Sequence, residues 1–404
     1  MRATRKRMFL VVLGFALTFA AMSCSQEPSK TEAMKANTPA TPEEAEKPLP
    51  PVQIAVAGPL TGDNAQFGHK MRLGAEIAVS EINAAGGIKG RPLQITYEDD
   101  AGSQQEANNV ANKLVTNKDL MAVVGHFNSS CSLSGKPIYK EAKIVMFSPA
   151  STNVTVCKGS DYAFRNIFTD EFQGHSLAEY ISKVLQMKKV GVIFENDDYG
   201  AGLKNDFVKK AKELGLDVVG EISYDRETTD FRPLIAPLND KNPEIIVIAG
   251  LYKGAAFITR QAREIGVVTQ FIGSDGVFSD EYIQLAGKAA EGTFVTTPFI
   301  FDLAGPRGQK MLEAVRARFK EDPDAWSALT YDAVHMVAKG LQEKGVSREA
   351  VREYLASVNS PAVAYDGLAG KTYFDPNGDC RKTVQVAIVK DGRFAAAPKQ
   401  MPVN

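Results

Sequence analysis

From residue 52 onward, short β-rich runs alternate with amphipathic helical stretches, and no other feature of the chain restricts its fold as much. QIAVAGP leads into AQFGHKMRLGAEIAVSEINAAGG, LQITYED into QEANNVANKLVTNK, MAVVGH into SLSGKPIYKEA, and IVMFSPA closes the series. In the first helical stretch Met71, Ala75, Ala78, Val79 and Ile82 share one face, and Gly86 and Gly87 supply the stop. Strands alternating with helices make parallel βαβ units with right-handed crossovers. After YAFRNIFTDEFQGHSLAEYISKVLQM the pattern restarts, with VGVIFEND before YGAGLKNDFVKKAKELG, EIIVIAG before GAAFITRQAREIG, and QFIGSDG before DEYIQLAGKAAEG. The expected fold is α/β, with two doubly wound parallel-sheet lobes.

Open α/β sheets take ligands at the carboxyl ends of their strands. Those ends carry loops 58–61, 125–130 and 148–152 in the first run and 195–199, 250–252 and 273–276 in the second, which predicts a cleft between lobes. Catalysis fits these loops poorly. GHFNSSCSLSG lacks the G-x-S-x-G of a nucleophile elbow, and His69, His126, His175 and His335 have no metal-ligand spacing, so each is expected to be structural. SLSGKP has no upstream glycine for a Walker loop, and DDYGAGLKN breaks G-x-G-x-x-G while placing Asp197 and Asp198 where a pyrophosphate would sit. No cofactor or metal is expected. A net charge of −1 removes the basic footprint that nucleic acid requires.

Binding fits better. Ser129 and Ser130 open a helix, where free N–H groups and the helix dipole favour an anion. SPAST adds the Ser151 and Thr152 hydroxyls and the Ala150 carbonyl. Ordinary helix capping is the competing reading for each serine taken alone.

The N-terminus reads as a processed leader. MRATRKR precedes an apolar run, residues 8–21, too short to span a bilayer. AAMSCSQ then sets Ser23 before Cys24, which resembles the lipobox of bacterial lipoproteins although Ala21 replaces the usual branched residue. Cys24 is expected to carry lipid, with plain leader cleavage as the alternative. The next segment, to residue 51, is rich in Pro, Glu, Lys and Thr and cannot bury enough surface to fold, so it is expected to be a tether.

GPLTGDNAQFG, GAEIAVSEINAAGGIKGRPLQI, YEDDAG, VVGHFNSS, SPAST, DYGAGL, RQAREIG, QFIGSDG and the closing DPNGD, in this order, resemble the periplasmic solute-binding proteins of the leucine/isoleucine/valine type that feed ABC transporters. The resemblance covers residues 52–394. It implies a type I periplasmic binding fold, two lobes joined by three crossing strands that close like a flytrap on an amino acid. The crossings would lie near 164–167, 293–298 and 373–378. The implied organisation is leader 1–23, tether 24–51, lobe one 52–165 and 297–375, and lobe two 166–296 and 376–404. Ser129 and Thr152 would hold the α-carboxylate and, with the Ala150 carbonyl, help hold the α-ammonium.

By the same resemblance Tyr199 would close over the ligand and Asp275 would pair with its ammonium. Phe67, Phe127, Leu251 and Tyr252 would wall the side chain. Leu251 stands where the leucine-type proteins carry an aromatic, and Asp275 is one methylene shorter than their glutamate. The implied protein is a monomeric, non-enzymatic lipoprotein of the periplasm or cell surface, delivering an apolar amino acid to a permease. A tethered receptor for amides or small organic acids, or a hydrolase, are the alternatives. Cys131, Cys157 and Cys380 are the remaining cysteines. Two of them, Cys157 and Cys380, lie near implied crossings and are the expected disulfide.

Overall fold

The computed structural model describes residues 49–401. The leader, Cys24 and the tether up to residue 48 lie outside the described residues. In the first lobe, β1 (Val52–Gly58), α1 (Ala65–Ala84), β2 (Leu93–Asp99), α2 (Gln104–Val115), β3 (Leu120–Gly125), α3 (Ser129–Glu141), β4 (Val145–Ser148) and β5 (Ala163–Arg165) follow in order. Their strands form one sheet, β2-β1-β3-β4-β5, parallel throughout. Alternation along β1 assigns its two faces. Ile54 and Val56 point into the core that contains Met71, Ala75 and Ala78 of α1, whereas Ala55 and Ala57 point into a second core with Val110, Ala111 and Leu114 of α2 and Tyr139 of α3. Helices therefore cover both faces, as buried parallel sheets require.

The second lobe contains α4 (Asp170–Glu179), β6 (Lys189–Glu195), α5 (Asp198–Glu213), β7 (Asp217–Tyr224), α6 (Arg232–Asn239), β8 (Ile245–Ala249), α7 (Tyr252–Glu264), β9 (Gln270–Gly273), α8 (Asp280–Ala286) and β10 (Phe294–Thr297). Next come α9 (Gly305–Phe319), α10 (Ala325–Lys344), α11 (Arg348–Ser357) and a hairpin of β11 (Tyr365–Gly367) and β12 (Gly370–Thr372). Of these, α9 packs Met311 and Val315 on Leu73 and Ile77 of α1, so the chain has returned to the first lobe. Finally β13 (Gln385–Lys390) and β14 (Arg393–Ala396) join the second sheet, whose order is β14-β13-β10-β9-β8-β6-β7. These last two strands run antiparallel, a departure from the all-parallel expectation.

The third passage between lobes comes later than the 373–378 that the resemblance implies. Asp375 Oδ1 accepts from the N–H of Asn377 (2.8 Å) and Asp379 (3.0 Å), Phe374 bridges to Cys380, and Lys382 Nζ donates to the carbonyls of Ala369 (2.9 Å) and Gly370 (3.1 Å). The segment through Lys382 thus stays with the first lobe, and the crossing falls just before β13. The expected Cys157–Cys380 disulfide is not formed: both thiols are free and buried. Cys157 packs in the core beneath α2 and α3, whereas Cys380 packs in the large core on the other face, its Sγ donating to the Ile167 carbonyl at 3.4 Å. A disulfide tolerates only close, correctly aimed β-carbons.

Candidate functional site

A cavity lies between the lobes, lined by Phe127, Asn128, Ser129, Ala150, Thr152, Tyr199, Leu251, Asp275, Gly276 and Trp326. Loops after β3, β4, β8 and β9 and the first turns of α3, α5 and α10 supply these residues.

On the first lobe the wall is the N-terminus of α3 beside the loop after β4. Ser129 is the first helical residue after Asn128, and its hydroxyl accepts the Asn153 N–H at 3.2 Å. The His126 carbonyl receives three hydroxyls, from Ser148 (2.7 Å), Ser151 (3.2 Å) and Ser132 (3.4 Å). Ser151 also donates to the Phe127 carbonyl at 2.8 Å, so it braces the loops and does not face the cavity. His126 is itself fixed, with Nδ1 2.6 Å from Asp100 Oδ2 and Nε2 3.0 Å from the Tyr139 hydroxyl, all fully buried. The structural role expected of His126 has this geometry. Arg165 fastens the same wall to the hinge, donating to the carbonyls of Ser151 (2.8 Å) and Asn153 (2.9 Å) and pairing with Asp379 at 2.6 Å.

On the second lobe the wall centres on Asp275, which follows β9. Its Oδ1 accepts from Gln173 Nε2 at 2.9 Å and from the Tyr199 hydroxyl. Tyr199 also bonds Ser274 Oγ (2.8 Å) and accepts the Gly276 N–H (3.1 Å). A side chain at Gly276 would start 2.7 Å from the Gly250 carbonyl and 3.2 Å from the Tyr199 ring, so only glycine fits. Burial pushes the Asp275 carboxyl up to about 6 against the pull of Tyr199 and Gln173. Asp170, at the start of α4, donates its N–H to the Thr152 carbonyl at 2.8 Å. Burial and Asp275 raise its carboxyl well above the usual range, while Thr152 pulls the other way.

Aromatic rings close one side. Phe127 stacks on Phe67 at 4.2 Å and meets Trp326 edge-on at 4.9 Å. Phe67 is fully buried behind Phe127, and Tyr252 packs on Phe67 at 5.0 Å with its hydroxyl on the Asp63 carbonyl at 2.6 Å; neither lines the cavity, although both were expected to. A lining residue outside every loop the sequence singled out is Trp326, whose Nε1 reaches the Phe278 carbonyl at 3.2 Å. Its only signal was its rarity, since it is the one tryptophan in the chain. Asn128 and the support of Gln173 were missed as well.

Among the described residues, no cluster of His, Cys, Asp and Glu could hold a metal, and no helix is long and apolar enough to cross a membrane. What the cavity offers is a helix N-terminus and hydroxyls on one lobe, a buried acid on the other, and an apolar wall.

Comparisons with known proteins give the same picture. Residues 51–393 match the family model for periplasmic binding proteins. An amino acid binding protein of Pseudomonas aeruginosa is 35% identical over 359 residues, covering 87% of this chain and 93% of its own. The Leu/Ile/Val-binding protein of Escherichia coli is 32% identical over 331 residues, 82% of this chain and 88% of its own. Among solved structures, a leucine binding protein from Thermotoga maritima has a TM-score of 0.81 at 31% identity, covering 87% of this chain and 99% of its own. An isoleucine complex of a branched-chain amino acid transporter substrate binding protein from Streptococcus pneumoniae also has a TM-score of 0.81, at 29% identity, covering 87% of this chain and 100% of its own. The shared fold and the matched length make this chain a member of the periplasmic binding protein family, a solute-binding protein and not an enzyme.

Proposed function

We propose that the cavity holds a small apolar amino acid as a zwitterion. The observation that carries this is the division of charge between the lobes: an anion-favouring helix N-terminus at Ser129, with the Thr152 hydroxyl beside it, faces a site whose one acidic lining residue is Asp275. In this reading Ser129 and Thr152 hold the carboxylate, Thr152, the Ala150 carbonyl and Asp275 hold the ammonium, and Phe127, Leu251 and Trp326 wall the side chain. Tyr199 acts through Asp275, which it already bonds. The apolar lining from Phe127, Leu251 and Trp326 favours an aliphatic side chain. One of the relatives named above is an amino acid binding protein and the other three are named for leucine, isoleucine or valine, which supports the assignment and the delivery of the ligand to an ABC transporter. Both walls come from one chain, so a monomer suffices. The mature protein is held at a bacterial membrane by lipid on Cys24.

Calorimetry with leucine, leucinamide and 4-methylpentanoate tests the ligand. Leucine should bind, and each analogue, lacking one charged end, should lose most of the affinity; a protein that takes 4-methylpentanoate as tightly as leucine is a receptor for organic acids instead. Membrane fractionation tests the anchor: the Cys24→Ala chain should leave the membrane fraction, and retention there removes Cys24 as the lipid site.

A further inference from the structure

Several side chains bridge the cleft without touching the cavity. Asn153 Nδ2 reaches the Asp198 carbonyl at 2.6 Å, and Lys253 pairs with Asp63 at 2.6 Å. The Lys253 pair is solvent-exposed on both sides, so it contributes little. Arg226, in the loop after β7, is built differently. Within its own lobe its guanidinium holds Glu195 (Nε, 2.7 Å) and Asp197 (Nη2, 3.1 Å), and Glu195 is only 4% exposed. Its remaining arm, Nη1, crosses to the first lobe and donates to the Gly102 carbonyl at 2.8 Å.

We infer that Arg226 is a positioning residue that sets ligand affinity by latching the closed form, without touching the ligand. Two acids of the second lobe already hold the guanidinium in place, so closing costs little further rotamer freedom and leaves the cation paired. Its target is equally fixed. The Gly102 N–H donates to Asp100 Oδ1 at 2.9 Å, and Asp100 Oδ2 meets His126 Nδ1 at 2.6 Å. Gly102 has φ +67°, and a β-carbon there would stand 2.9 Å from Asn64 Nδ2, so the loop presents bare backbone to the incoming arm. The bond exists only when the lobes meet, and apparent affinity scales with the fraction of protein in the binding-competent state. Losing a hydrogen bond from a charged donor should weaken binding roughly ten- to a hundredfold. Arg226 does not line the cavity, so the factor should be the same for every ligand.

The inference rests on the amino-acid reading only for its choice of ligands. The full mature chain, Arg226→Gln, and Arg226→Gln with Glu195→Gln, which avoids leaving that acid unpaired, would be titrated with leucine, valine and alanine. Dissociation would be followed by the emission of the single tryptophan, Trp326. The expected result is a uniform loss of affinity carried by faster dissociation, with the melting temperature of the double variant near wild type and partial recovery in Arg226→Lys. Unchanged affinity overturns the latch, and so does a loss that differs between the three ligands. Should the wild-type chain bind none of them, the amino-acid reading fails, and the radius of gyration of the ligand-free chains decides the latch: a larger radius in the variants supports it, and an equal one overturns it.

Discussion

The first-lobe wall of the cavity is made of backbone and hydroxyls from loops close in sequence, with residues 126–132 and 148–153 braced on the single carbonyl of His126. The second-lobe wall depends on one carboxylate, Asp275, oriented by Gln173 and Tyr199, which lie 102 and 76 residues away along the chain. Many weak, neutral contacts on one side tolerate the loss of any one of them. A single buried charge on the other side does not, because under the proposed function its removal leaves the ligand ammonium without a partner.

Asp275→Asn should therefore have the largest effect. The change keeps the shape and removes the charge, and an unpaired buried ammonium costs about 2–5 kcal/mol, roughly thirty- to several thousandfold in affinity. Stability should move the other way. Burial raises the folded-state pKa of Asp275 from 3.8 to about 6, so its stability contribution is complete below the unfolded value and is lost as pH rises through the folded one. At pH 7 the ionised group is a cost, and the amide should melt no lower than wild type in the absence of ligand. Lowered affinity with an unchanged or higher melting temperature marks a binding charge. The reverse pattern, a lower melting temperature with intact affinity, would mean that Asp275 only shapes its turn.

Thr152→Ala comes next. Its hydroxyl is one contact among several on the first-lobe wall, and a hydrogen bond to a charged group contributes roughly 1.5–3 kcal/mol, about one to two decades in affinity. Calorimetry that finds the loss equal to that of Asp275→Asn would erase the contrast between the walls.

The pH profile sharpens the same contrast. As pH falls through about 6, ligand-free Asp275 takes up a proton and can no longer pair with an ammonium. Affinity should be flat above that value and fall below it, by at most about tenfold per unit. Asp170, whose carboxyl is also raised, titrates in the same direction. The Asp275→Asn chain separates Asp275 from the rest: its profile should be nearly flat, and an undiminished fall would assign the proton to another raised carboxyl, Asp170, Asp197 or Asp324.

This division also governs what the sequence can reveal. Period and punctuation place the strands, so the loops that carry Ser129, Ala150 and Thr152 are legible, as is the buried face of α1 with Met71, Ala75 and Ala78. Asp275 falls in a legible place for the same reason, since it stands in the turn just after a strand. Gln173, Arg226 and Trp326 are not legible, because each acts through a partner that only the folded chain brings near. The antiparallel pairing of β13 with β10 and of β14 with β13 is something only tertiary context assigns. The late third crossing depends on Lys382 finding the carbonyls of the β11–β12 hairpin, and the cysteine pairing fails because a sheet separates the two cores. Phe67 and Tyr252 have the expected residue types near the cavity, but Phe127 stands in front of them.

The smallest effect on affinity should come from Tyr139→Phe, and it tests whether the first-lobe wall is as redundant as its contacts imply. Tyr139 is fully buried and bonds His126 Nε2 at 3.0 Å, on the far side of the ring from Asp100. Removing the hydroxyl leaves a buried ring nitrogen unpaired, which costs roughly 1–3 kcal/mol of stability. The His126 carbonyl, however, keeps its three serine donors, and Asp100 still holds Nδ1, so Ser129 and Thr152 should stay in place. A thermal melt should show the loss, while leucine affinity should change by no more than about twofold, well under the roughly 1.4 kcal/mol that a decade represents. A tenfold fall in affinity would show that the first-lobe wall hangs on the Asp100–His126–Tyr139 chain as the second hangs on Asp275, and the distinction between the two walls would be gone.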